Sequence, residues 1–461
     1  MVQFNIEITR RRALAVILVV ISILILDSTI VKFVAFSNKE LPTLSYINIF
    51  VTFTVLFVGI MIVLLGFVQS KDLHSGLKSG LTLKSSYLII ALSQFSLIAA
   101  MVIIILQMIL LKSYSILSLL AVVYISHITA IFFLILLVVA FIDWMRTRRN
   151  KILSLYTVSF SLTALAIMIS LLYATVLPYQ LSNVIPYPIH LSMLNLPGSE
   201  LANSFGITLD IISMLSFVSV WLASAILLST YSRRMGRIKY WTIIAIPLIY
   251  FLFPFEGYLL DIFQSLSVSS PVLFGVVNVL AFSATKQIGA LFFSLAFLAA
   301  SSLVAKKVTQ KYLLISAIGI AILYASIEIE SLLYTTYPPF GLVTISFMPM
   351  GVYMVFTGIL VSATLAARDK ELRKEFYSTA VSQLTLLKTI GVIEMENQLI
   401  KSYKSMEKRS KLELKDTMYD KTKVREALHG LVDEMDEGDV RELLHEVLTE
   451  VYSKSRGKGN G

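Results

Sequence analysis

The chain has 461 residues, of which 57% are hydrophobic and only 15% charged, with a net charge of +10. This apolar excess, with a mean hydropathy of +0.80, excludes an ordinary water-soluble domain. The absence of Cys excludes a disulfide framework, thiol chemistry and Cys-ligated metal or iron–sulfur sites. The scattered His74, His127, His190, His429 and His445 offer no pair at metal-ligand spacing, so neither a metal nor a cofactor is expected.

A helix that crosses a bilayer needs about 20 apolar residues. Ten segments approach that length, near 13–36, 46–68, 87–111, 116–142, 152–177, 207–231, 241–258, 286–305, 312–334 and 341–366. They predict an all-α polytopic membrane protein with about ten transmembrane helices over residues 1–367. A cytosolic helical tail follows over 368–461.

Alternate connections carry the basic residues: Arg10–Arg12; Lys71, Lys78 and Lys84; Arg146–Lys151; Arg233–Lys239; Lys306–Lys311; and Arg368–Lys374. The positive-inside rule then places both termini in the cytoplasm and the chain in the cell membrane. Up to Ala367 there are 21 Lys and Arg against 11 Asp and Glu, and the tail carries 18 of each. The whole positive excess therefore belongs to the loops, which argues against nucleic acid as a partner and leaves the lipid bilayer as the expected one. The first segment is too long for a cleavable signal peptide and lacks a small-residue cleavage motif.

Two connections stand out. The outer loop 178–206 is long and rich in Pro, Asn and Ser; it suits a cap over the bundle or a lid. Residues 259–285 are moderately apolar and interrupted by Ser269, Ser270, Pro271 and Gly275. An interfacial or re-entrant segment is expected there, because one helix from 272 to 305 would be overlong and would bury Lys286.

Ionisable residues inside a membrane are costly, face the bundle interior and often mark a site. The acids here gather in the outer half: Asp27, Asp210, Glu256, Glu328 and Glu330, with Lys32 and Lys286 as cations near that level. One reading is a cavity for a cation, an amine or protons. The blander one is that Asp27 pairs with Lys286 or Lys32 as a packing contact. Glu328 is the better placed of the two ninth-span acids because it shares a helical face with Tyr324 and Ser331. His127, beside Ser126 and Thr129, suits a proton relay or, more simply, an interhelical hydrogen bond. Gln94, Gln107 and Asn278 carry that simpler reading more strongly. Pro247 and Pro254 in the seventh span free backbone carbonyls. No Walker loop, hydrolase elbow or zincin motif is present, so no enzyme is expected.

The tail follows the tenth span without a Pro, and its first Gly is Gly391. Apolar residues from Phe376 to Met406 recur at helical spacing, and 421–453 reads as a helical hairpin with an Asp439–Glu442 capping box. Apolar stripes of this kind need a partner, so a cytosolic protein docking on 376–453 is expected.

The run Tyr337–Pro338–Pro339–Phe340–Gly341 precedes the last span, and Leu386, Leu387, Ile390, Gly391, Met395 and Glu396 follow it. In these positions the chain is similar to uncharacterised multi-pass membrane proteins of archaea, particularly the ammonia-oxidising lineage. The resemblance covers roughly the last quarter of the chain before the terminal hairpin and implies an organism and a compartment, with no functional residues to transfer. In the same stretch Phe340, with Tyr334 and Tyr337, is expected to be an interfacial anchor, and Pro349 to kink the last span. Taken together, the sequence favours a sensor or signal-coupling membrane protein that works through its tail. The alternatives are a secondary transporter of a cation or amine, built as 5+5 spans, and a membrane assembly or scaffold protein.

Overall fold

In hydrocarbon every backbone N–H and C=O must be bonded within the protein, so a long apolar run adopts a helix. The computed structural model describes residues 9–36, 43–68, 80–111, 114–147, 151–181, 200–229, 236–252, 271–302, 307–327 and 339–368. Among these the secondary structure is helical throughout: α1 (Arg10–Phe36), α2 (Thr43–Val68), α3 (Gly80–Leu111), α4 (Ile116–Thr147), α5 (Lys151–Leu181), α6 (Glu200–Ser229), α7 (Arg237–Leu252), α8 (Pro271–Ser301), α9 (Lys307–Ser326) and α10 (Leu342–Arg368). Each expected span corresponds to one helix. Seven of them, α2–α6, α9 and α10, are long and apolar enough to cross a membrane. The chain is a polytopic helical membrane protein.

Residues 271–285 are not a separate re-entrant or interfacial segment. They form the first half of α8, which runs unbroken to Ser301. Pro271 suits the first helical position, where its missing N–H has no intrahelical partner anyway, and no further Pro interrupts the run. Its 31 residues span about 46 Å at 1.5 Å each, so tilt or extension beyond the hydrocarbon accommodates a length that seemed prohibitive. The tail, most of the loop 178–206 and the stretch around the expected Pro338 turn lie outside the described residues.

Side-chain contacts set the arrangement. Phe50 and Phe57 of α2 meet Phe340 and Phe347, with ring centroids 6.0 and 4.9 Å apart, so α2 and α10 run parallel. Ser126 and Phe133 of α4 meet Ile345 and Tyr353 of α10, so α4 also runs parallel to it. The α9 helix runs antiparallel to α10. There a Cβ on Gly319 would lie 2.7 Å from the Gly351 oxygen, and one on Gly358 would lie 2.7 Å from the Tyr312 oxygen. Small residues let backbones approach this closely, which is how helices pack well in lipid. Further out, α5 pairs with α6 and with α4, and Trp221 and Tyr240 bind α6 to α7.

Phe340 is 2% exposed and packs edge-on against Phe50. It is a core residue rather than an interfacial anchor: Gly341, at φ 89°, turns the chain into α10 so sharply that the preceding ring is carried inward.

Candidate intramembrane polar site

The N-terminus of α10 presents N–H groups that have no partner within the helix. A side-chain acceptor at the N-cap usually takes them, but the residue there is Gly341. Asp27, 0% exposed on α1, supplies the acceptor from 314 positions earlier in the chain. The Gly341 N–H donates to Oδ1 at 3.2 Å, and the Thr344 N–H donates to Oδ2 at 3.1 Å. The Thr344 hydroxyl adds a bond to Oδ2 at 2.7 Å. One carboxylate thus performs both halves of a capping box, and its charge lies at the positive end of the helix dipole. The side chains of Lys286 and Lys32, the expected partners of Asp27, lie outside the described residues.

The polar residues of α4 fan out to three other helices. The Ser126 hydroxyl donates to the Ile345 carbonyl of α10. This carbonyl lies four residues before Pro349, so it is the one whose N–H donor the proline removes. Ser126 therefore supplies the donor that Pro349 removes. Thr129 lies 3.0 Å from Ser93 of α3, hydroxyl to hydroxyl. His127 is 3% exposed, with Nδ1 2.9 Å from the Val123 carbonyl and Nε2 3.2 Å from the Ser170 hydroxyl of α5. A carbonyl only accepts, so Nδ1 carries a proton, and a neutral ring then accepts at Nε2 from Ser170. His127 is a satisfied interhelical link. In the other helix with an internal proline, the Trp221 indole N–H donates to the Ile244 carbonyl at 2.9 Å, next to the Ile243 carbonyl whose N–H donor Pro247 removes.

A third group joins α5, α6 and α9. The Tyr324 hydroxyl lies 2.9 Å from Ser159 Oγ, and Thr163 Oγ1 lies 2.7 Å from Ser216 Oγ. Thr163 also donates to the Ser159 carbonyl at 2.9 Å, and Ser159 to the Ser216 carbonyl at 3.3 Å. Four hydroxyl protons find four acceptors, so the network closes on itself as neutral interhelical glue. Ser159, Thr163 and Ser216 were not among the sequence candidates. The i, i+4 pair of small hydroxyl residues on α5 was the available signal.

Of the candidate site residues, the structure positions Asp27 and His127 in separate clusters. Asp210 lies on α6 and Lys286 on α8, with side chains outside the described set, as are Glu256, Pro254 and Glu328. Gln107 accepts from the Ser115 N–H at 3.0 Å and from the Ser118 hydroxyl at 3.4 Å, tying α3 to the start of α4. Gln94 departs from expectation: it is 1% exposed, and neither amide atom has a partner among the described residues. Gln287 on α8 shares this state at 0% exposure. Among the described residues, no group of three or more His, Asp or Glu could hold a metal ion.

The fold and these clusters define a polytopic helical membrane protein in which the last described helix is bonded from the first and the fourth. Compared with protein-family models, with curated proteins and with solved structures, the chain matches none of them.

Proposed function

We propose that this is a signal-coupling protein of the cell membrane, with both termini cytoplasmic, in which α10 carries a stimulus from the outer half of the bundle to a cytosolic partner of the tail. The observation behind this reading is the anchoring of α10. It is the most buried of the seven spanning helices, it is bonded at its N-terminal end by Asp27 of α1 and Ser126 of α4, and it leads at Arg368 into the amphipathic tail sequence. A change at the outer ends of α1 or α4 thus reaches a single element that leads into the tail. The transporter reading loses support from the same geometry, because Asp27 is committed to capping a helix rather than lining a cation path.

Crosslinking and co-purification from native membranes test the proposal by comparing the intact chain with one truncated after Ala367. A cytosolic protein captured by the intact chain and lost on truncation is the expected result. Its capture should change when residues are inserted after Arg368, because insertion rotates the tail's apolar face. An unchanged set of partners on truncation would sink the reading and favour transport.

A further inference from the structure

Pro349 divides α10 into two arms that different forces hold. The arm before it is tied to other helices by hydrogen bonds: Asp27 takes the N–H groups of Gly341 and Thr344, and Ser126 donates to the Ile345 carbonyl. Breaking either tie would leave buried backbone groups unbonded, which is expensive. The arm after Pro349 is held differently. The hydrogen bonds of its described hydroxyls stay within the helix, from Thr357 to the Tyr353 carbonyl and from Thr364 to the Leu360 carbonyl. Towards α9 it presents Gly351 and Gly358, which face Leu323 and Tyr312. Towards α4 it lays Tyr353 and Phe356 on the ring of Phe133. Such contacts are sums of many weak attractions. Between the arms the helix lacks one of its own hydrogen bonds, which is where helices bend.

We infer that α10 is a hinged lever: the arm before Pro349 is clamped by Asp27 and Ser126, and residues 350–368 swing about Pro349 along the seam of Gly319, Gly351 and Gly358. The movement stands on the geometry alone, whereas its use in signalling rests on the function proposed above. From Pro349 to Arg368 the arm is about 28 Å long, so a bend of about 10° at Pro349 moves its far end by about 5 Å.

The chain has no Cys, so spin labels can be placed at will on the full-length protein in lipid nanodiscs. One pair, Arg146→Cys with Arg368→Cys, joins the ends of α4 and α10. A reference pair, Arg146→Cys with Gln310→Cys, joins α4 and α9. In pulsed electron–electron distance measurements, the α10 pair should give a distribution about 5 Å broader than the reference, or a second population displaced by that amount. Adding Pro349→Ala should narrow it to the reference width. The inference is overturned if the α10 pair is as narrow as the reference, or if Pro349→Ala leaves a broad distribution unchanged. Should that variant fail to fold, the reference comparison still decides. A rigid α10 in a chain that captures a tail partner would defeat the lever and leave the signalling reading intact, and a mobile α10 without a partner would do the reverse.

Discussion

The α9–α10 pair and the α2–α4 helices solve the same problem in opposite ways. Along their most apolar stretches, 33% of α2 and 39% of α3 and α4 are buried, against 83% of α9 and 100% of α10. Yet the two buried helices are the least apolar of the seven. Lipid-facing surface must be apolar because nothing there can bond a polar group. A helix enclosed by protein can carry Ser, Thr and Tyr, whose hydroxyls bond neighbouring carbonyls, and Gly, which admits a close backbone. In this molecule low hydropathy marks the centre rather than the surface.

Steric tests should break that contrast most sharply. Gly351→Leu places a Cβ 2.8 Å from the Leu323 nitrogen and 2.9 Å from Ile322. We expect it to cost more than about 3 kcal/mol and to abolish monodisperse protein in size-exclusion chromatography. Gly59→Ala on α2 meets nothing within 4 Å and should change thermal stability by no more than about 1 kcal/mol, in the stabilising direction. Comparable losses from both changes would refute the assignment of α10 to the centre.

Removing the cap comes next. Asp27→Ala leaves two buried N–H groups and the Thr344 hydroxyl without their acceptor, at a cost of about 2–3 kcal/mol. Asp27→Asn retains a carbonyl acceptor and should lose less. Thermal unfolding in detergent or nanodiscs measures both, and equal losses would mean that the cap contributes only packing.

Ser126 and Pro349 permit a smaller but more diagnostic test. Ser126→Ala should cost about 1–2 kcal/mol, because it leaves the Ile345 carbonyl unbonded. In a Pro349→Ala background the backbone N–H restored at position 349 serves that carbonyl, so the same change should cost a few tenths of a kcal/mol at most. Additive losses would show that Ser126 does not stand in for the donor that Pro349 removes. Smallest of all, Tyr324→Phe removes one member of a neutral network and should cost about 1 kcal/mol, with double-mutant coupling to Ser159→Ala.

Part of this site was legible in the sequence. Asp27 and His127 stood out because ionisable groups are rare in apolar runs, and Pro349 because it cannot continue a helix unaided. Their partners were not legible. Asp27 was expected to pair with a lysine, and its acceptor role at Gly341 and Thr344 depends on α1 meeting the start of α10. Phe340 illustrates the same limit: an aromatic beside two prolines suits a membrane interface, and only the turn at Gly341 carries it into the core. The hydroxyl cluster of Ser159, Thr163, Ser216 and Tyr324 escaped notice because each residue alone is ordinary in a membrane helix, and its meaning arises from three helices converging.

The sequence by itself determined that the apolar segments are helical, because backbone hydrogen bonding in hydrocarbon leaves no other conformation for such runs. It also marked where polar groups interrupt them. Which helices occupy the centre was decided by tertiary structure, through the close approach that Gly319, Gly351 and Gly358 permit. So was the identity of the groups that complete α10: its missing cap and its proline-orphaned carbonyl are supplied from α1 and α4. Pairings over such separations follow from the packing of whole helices, which local pattern does not encode.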